Sequence, residues 1–230
     1  MGFSLSLKLG VAPFHGWFVN VLRKLSWEFL TLASTLQKIL PLYLLRLITF
    51  GLIIYVLTLS VAVSVAGRLN QLETKKLLAY SSIFSAVWML SCERAFSAVA
   101  QYLIAYTLAL IVLVSPLSFE NRLGVNEVLT KNYKRKTLIY LLGFFSLGGR
   151  PPFLGFYAKV TVAQILLANS HLLFFLFLVR ASVFLLYVYM RFFYQALTAA
   201  RNETETRLPE SFYSSALALT LFTLVVFPWL

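Results

Sequence analysis

Between Leu147 and Lys159 the chain reads LGGRPPFLGFYAK, and no other stretch limits its possible folds as severely. It lies inside an apolar run, yet two glycines and two prolines interrupt it, removing backbone donors and breaking the helical ladder. Lys159 follows seven residues after Pro152, where hydrocarbon would be expected. A helix broken in this way survives in a bilayer only where its freed backbone is buried in protein or lines a wet cavity. An intramembrane lysine is costly and by default marks ion or proton traffic. The stretch therefore reads as a transport site.

That reading needs a membrane protein, and composition supplies one. Of 230 residues, 60% are hydrophobic and 12% charged, whereas a soluble domain is nearer half apolar and a quarter charged. The apolar runs are continuous rather than alternating, which indicates helices and not a barrel. The expected fold class is all-α: a polytopic membrane bundle of about eight transmembrane helices, two of them broken. The net charge of +12 is assigned to loop orientation and anionic headgroups such as cardiolipin, not to nucleic acid. Cys92 is alone, so no internal disulfide forms. Lys8, Pro13 and His15 in the first segment are unlike a cleavable signal core.

The expected spans are 2–22, broken at Gly10-Val11-Ala12-Pro13; 29–45, with Gln37, Lys38 and Pro41; 47–66; 77–91; 95–119; 137–168, the second broken span; 171–197; and 212–230. The mixed-charge loop 120–136 is expected to lie along the surface as a short helix. Loops after odd-numbered spans hold twelve Lys and Arg, against two (Arg46 and Arg94) after even-numbered spans. The odd loops are therefore expected on the cytoplasmic or matrix side, with both termini opposite.

Lys8, Lys38 and Lys159 fall within spans. Burial disfavours a charged lysine and a nearby carboxylate favours it, so a lysine between those influences can load and release a proton. The alternative for each is snorkelling to a headgroup or a fixed hydrogen bond to carbonyls of a broken helix. His15 either exchanges protons or is satisfied by a carbonyl. Lys76, with Lys75, opens the fourth span and is first an orientation charge; Tyr80, Ser81 and Ser82 suit hydrogen bonds between helices. Arg150 suits a headgroup or a partner carboxylate, Arg180 a bundle-facing ion contact, and Glu93-Arg94 a hydrated turn. The break positions are Gly10, Pro13, Gly148, Gly149, Pro151 and Pro152, and no metal site is read. None of the eight glutamates lies in the middle of a span, and there is no aspartate. A lysine-based proton switch normally needs an acid to bias it.

KLGVAPFHGW at Lys8–Trp17, LQKILP at Leu36–Pro41, LNQLETKKLLAYSSI at Leu69–Ile83 and LGGRPPFLGFYAK occur in an order and spacing that resemble the chain 2 family of NADH–ubiquinone oxidoreductase. Members are antiporter-like subunits of the membrane arm of respiratory complex I; the last two motifs also resemble sister subunits and Mrp-type cation/proton antiporters. The resemblance implies a pair of inverted repeats, each with a broken helix. Residues 1–46 would end the first repeat, 47–197 would form the second, and 211–230 would be an extra helix. Lys8 would match the central lysine of the first half-channel, Lys38 the lysine linking the halves, and Lys159 that of the second broken helix.

The implied function is proton translocation in the mitochondrial inner membrane, driven by NADH:ubiquinone electron transfer elsewhere in the complex. Flavin, iron–sulfur clusters and quinone would then belong to other subunits, and no redox site is expected here. Two departures stand out. The chain begins just ahead of the first break, without the earlier helices that carry the family's membrane glutamate, and a separate chain is expected to supply them. Arg150 replaces the usual apolar residue between the glycines and prolines. The alternatives are a non-conducting scaffold of the same membrane arm, or a free-standing antiporter, which would carry its own membrane acid.

Overall fold

The computed structural model describes residues 2–47, 53–69, 71, 73–92, 95–120, 142–151 and 153–199. The expected span at 212–230, nearly all of the 120–136 loop, the Glu93-Arg94 turn and Pro152 lie outside the described residues. The helices are α1 (Gly2–Leu9), α2 (His15–Lys24), α3 (Trp27–Leu47), α4 (Ile53–Arg68), α5 (Thr74–Ser91), α6 (Phe96–Glu120), α7 (142–148), α8 (Leu154–Ala168) and α9 (Leu172–Ala199). No strand occurs among the described residues. By length and composition, α6 over Phe96–Ser115 and α9 over Leu172–Arg191 suffice to cross a membrane; α4 and α8 are shorter apolar helices.

The bundle is built around α5. From Leu77 to Leu90 its sequence is apolar or small on every face, and a helix of that kind is stable only when enclosed. All residues from Ser81 to Leu90 are buried, and the helix packs against α2, α3, α4, α6 and α8. Contact with α4 is tightest at Gly67, where a Cβ would overlap the Tyr80 ring. On the outside, α1 packs on α3, and α9 packs on α4 and α8.

On α9 the buried residues Leu178, Ala181, Leu185, Val188 and Tyr189 form a stripe of helical period. Arg180 falls off that stripe and is exposed, so the bundle-facing contact expected of it is not formed.

Two interruptions, between α1 and α2 and between α7 and α8, solve the loss of helical bonding identically. At the first, the Gly10 and Val11 amides donate to the carbonyls of Leu7 and Ser6 (3.1 and 3.1 Å), and the Phe14 amide to Val11 (3.0 Å). At the second, the Gly149 and Arg150 amides donate to Ser146 and Phe145 (3.1 and 3.2 Å), and the Phe153 amide to Arg150 (2.8 Å). Both are Schellman caps with a glycine in the left-handed region, φ +71° at Gly10 and +74° at Gly149. The sequences align accordingly: Gly10-Val11-Ala12-Pro13-Phe14-His15-Gly16-Trp17 beside Gly149-Arg150-Pro151-Pro152-Phe153-Leu154-Gly155-Phe156. A repeat invisible to composition is written in five shared positions: glycine, proline, phenylalanine, glycine and an aromatic.

Side chains add further bonds at the first interruption. Ser60 of α4 accepts from the Ala12 amide (3.1 Å) and donates to the Val56 carbonyl, and Trp17 Nε1 donates to the Leu7 carbonyl (2.9 Å).

Gly10→Ala is expected to destabilise the assembled protein by about 1–2 kcal/mol from the left-handed backbone alone, and by more because the new Cβ meets the Phe18 ring. Gly16→Ala, with open space around it, should be near neutral. Thermal unfolding of the two variants checks the contrast.

Candidate functional site

The site begins with α3. Its internal Pro41 removes the amide that would bond the Gln37 carbonyl, loosening the turn that carries Lys38. Lys38 is 1% exposed. Its ammonium donates to the Ser82 carbonyl (2.5 Å) and, longer, to Ser85 Oγ (3.4 Å), both on α5. It also stands 5.2 Å from the centre of the Tyr106 ring on α6. Ser85 Oγ donates to the same Ser82 carbonyl (2.8 Å). The hydroxyls of Ser82 and Tyr106 are buried and have no hydrogen-bond partner.

Lys159 sits on α8 and bends back over the second interruption. Its ammonium donates to the Gly148 carbonyl (2.6 Å), one of the carbonyls left free where α7 ends. A Cβ on Gly149 would strike the Lys159 side chain, and one on Gly155 would strike the Ser146 carbonyl. Glycine at these positions therefore makes room for the lysine and lets α7 approach α8. Phe84 and Trp88 of α5 present their rings 5.8 and 5.7 Å from the ammonium, which offsets part of the cost of burying it.

The two lysines meet at shared neighbours. Ser85 and Tyr106, which contact Lys38, also line a cavity of about 20 Å³ that holds Lys159, room for about one water molecule. A second, smaller cavity of about 10 Å³ lies against Tyr102, Tyr106, Ser146 and Gly155. A polar seam of hydroxyls thus runs from Lys38 to Lys159 through an otherwise apolar core.

Lys8 is placed differently. It is exposed on α1, while Leu5, Ser6 and Leu9 turn inward. Pro13 is exposed as well. His15 opens α2 with a buried Nδ1 that has no hydrogen-bond partner. Lys76 is not part of the seam: it joins Glu73 (3.4 Å), which also pairs with Arg23 (2.8 Å), in a partly exposed cluster. Tyr80 packs on Gly67. Arg150 lies 4.4 Å from the Phe145 ring centre, folded onto α7.

Four buried residues carry no local sequence signal of their burial. Tyr102 and Tyr106 are four apart, so they share one face of α6; both are buried. Arg68 counts as a loop charge by position, yet it ends α4 fully buried beside the Lys159 cavity. Lys75, read as an orientation charge, is buried and donates to the Leu25 carbonyl at the end of α2 (2.7 Å), 5.1 Å from the centre of the Trp27 ring.

Residues 1–185 match the family described as NADH:quinone oxidoreductase/Mrp antiporter, transmembrane. The chain is 30% identical over 207 residues to NADH-ubiquinone oxidoreductase chain 2 of Locusta migratoria, covering 87% of this chain and 60% of that protein. It is 32% identical over 241 residues to the same protein of Myxine glutinosa, covering 98% and 68%. The chain thus spans about three fifths of the length of the locust relative. In fold it is similar to a chain of respiratory complex I from Thermus thermophilus with bound aureothin, with TM-score 0.72, 24% identity, and coverage of 96% of this chain and 54% of that one.

The Lys75 bond closes the α2–α3 corner onto α5. Lys75→Ala should lower the thermal stability of the assembly by about 1–2 kcal/mol, the scale of a charge-assisted hydrogen bond reduced by partial solvation. Lys76→Ala should change it by no more than a few tenths. Parallel melting curves test the difference.

Proposed function

Because the chain belongs to the NADH:quinone oxidoreductase/Mrp antiporter transmembrane family, we propose that this antiporter-like subunit of complex I translocates protons through its intramembrane lysines. The observation that carries the reading is the seam: Lys38 and Lys159 are both buried and both held by neutral carbonyls, and Ser85 and Tyr106, which adjoin Lys38, line the cavity that Lys159 also lines. A lysine bonded only to neutral acceptors gives up its proton without leaving an orphaned carboxylate. The hydroxyls of Ser85 and Tyr106 supply the relay between them. Electron transfer from NADH to ubiquinone in other subunits, which hold the flavin, iron–sulfur clusters and quinone, drives the transfers.

The interruptions at Gly10 and Gly149 are then broken transmembrane helices of two related half-channels in a multi-pass protein of the mitochondrial inner membrane. Lys8, exposed on α1, is too costly to leave against lipid. It is proposed to face a carboxylate of a neighbouring membrane-arm polypeptide.

Lys38→Met and Lys159→Met, introduced into the assembled complex, are expected to lower the protons moved per NADH oxidised while the complex still assembles. Simultaneous recording of NADH oxidation and of a pH-sensitive dye in sealed vesicles gives that ratio. An unchanged ratio in both variants would establish a scaffold role instead.

A further inference from the structure

The lysine relay makes no use of Arg68. This residue ends α4 and is 1% exposed, with its guanidinium 5.9 Å from the centre of the Phe84 ring and 5.7 Å from that of Tyr189. The rings stabilise the charge but offer no lone-pair acceptor to its N–H groups, which lie in the guanidinium plane. Nε and Nη2 are buried and have no hydrogen-bond partner.

Arg68 lines the same cavity of about 20 Å³ as Lys159, together with Ser81, Ser85, Tyr102 and Tyr106. The Lys159 ammonium has three donors, and the Gly148 carbonyl takes one. Among the described residues lining the cavity there is no carboxylate. Two Arg68 nitrogens are left without an acceptor, and two cationic side chains share one low-dielectric space. Buried donors without partners point to a water or an ion, and buried charges need a counter-charge. A water would satisfy donors and leave the charge unbalanced. A small anion does both, and the cavity is too small for a phosphate or an organic acid.

We propose that the cavity between Arg68 and Lys159 binds one halide-sized monovalent anion, which accepts from Arg68 Nε and Nη2 and from the Lys159 ammonium. In physiological salt this is chloride. The site rests on donors and space rather than on proton transfer, so a chain that moved no protons would bind the anion equally.

The test uses the complete complex, prepared in gluconate and then in bromide at the same ionic strength. Crystals in bromide should give an anomalous peak within hydrogen-bond reach of Arg68 and Lys159, absent in gluconate and absent in Arg68→Gln. Arg68→Lys, which keeps the charge but loses the fork, should raise the bromide concentration for half occupancy. The proposal is overturned if cavity density in the natural protein is the same in both salts, or if a side chain of a neighbouring subunit fills the space. The natural protein decides the matter even if Arg68→Gln fails to assemble. Proton-to-NADH ratios do not enter this test, so its failure and that of the proton reading are separable.

Discussion

A helix interrupted within an apolar layer must have every released amide and carbonyl satisfied by the protein itself, because no bulk water is there to do it. Both interruptions in this chain are closed by one device, a left-handed glycine in a Schellman cap and, four residues later, a phenylalanine amide that bonds the carbonyl three residues before it. Much else follows from it. Ser60 on α4 is fixed by the Ala12 amide, which ties α4 to the first interruption. Lys159 is fixed by the Gly148 carbonyl, which exists as a free acceptor only because α7 stops there. The cost of breaking the helix is thereby turned into a binding position for a cation.

The two interruptions share a backbone and differ in what they carry. Lys8 precedes its glycine by two residues, where the second copy has Leu147; Lys159 follows its glycine by ten, where the first has Asn20. Lys159 therefore reaches back into the bundle through space cleared by Gly149, whereas Lys8 points outward. Only the second cation joins the internal seam. Between it and Lys38, α5 supplies Ser82 and Ser85 on a helix too enclosed to admit bulk solvent. Hydroxyls there are the cheapest polar groups to bury, since each can bond a carbonyl of its own preceding turn, as Ser81 and Ser85 do.

The elements that the sequence made legible are those ruled by local chemistry. Continuous apolar runs mark helices, Gly and Pro mark the interruptions, and the motifs LGGRPPFLGFYAK and KLGVAPFHGW point to the family that the chain matches over residues 1–185. Lysines within apolar runs are conspicuous because their burial is costly. Lys38 was found that way and is fully buried.

Which face each charge turns to is set by packing between helices. Arg68 and Lys75 sit at helix ends, where a linear sequence places charges in loops; α5 and α9 close over Arg68, and the α2–α3 corner closes over Lys75. Arg180 lies in mid-helix and is nonetheless outside, because helical period sets it off the buried stripe. Tyr102 and Tyr106 become partners of the lysines only when α6 is laid against α5 and α8. The helices, their interruptions and the family are legible along the chain, since those depend on backbone chemistry and hydropathy within a few residues. The cavity shared by Arg68 and Lys159 depends on residues from α4, α5, α6, α7, α8 and α9 meeting in space, and no local pattern records that meeting.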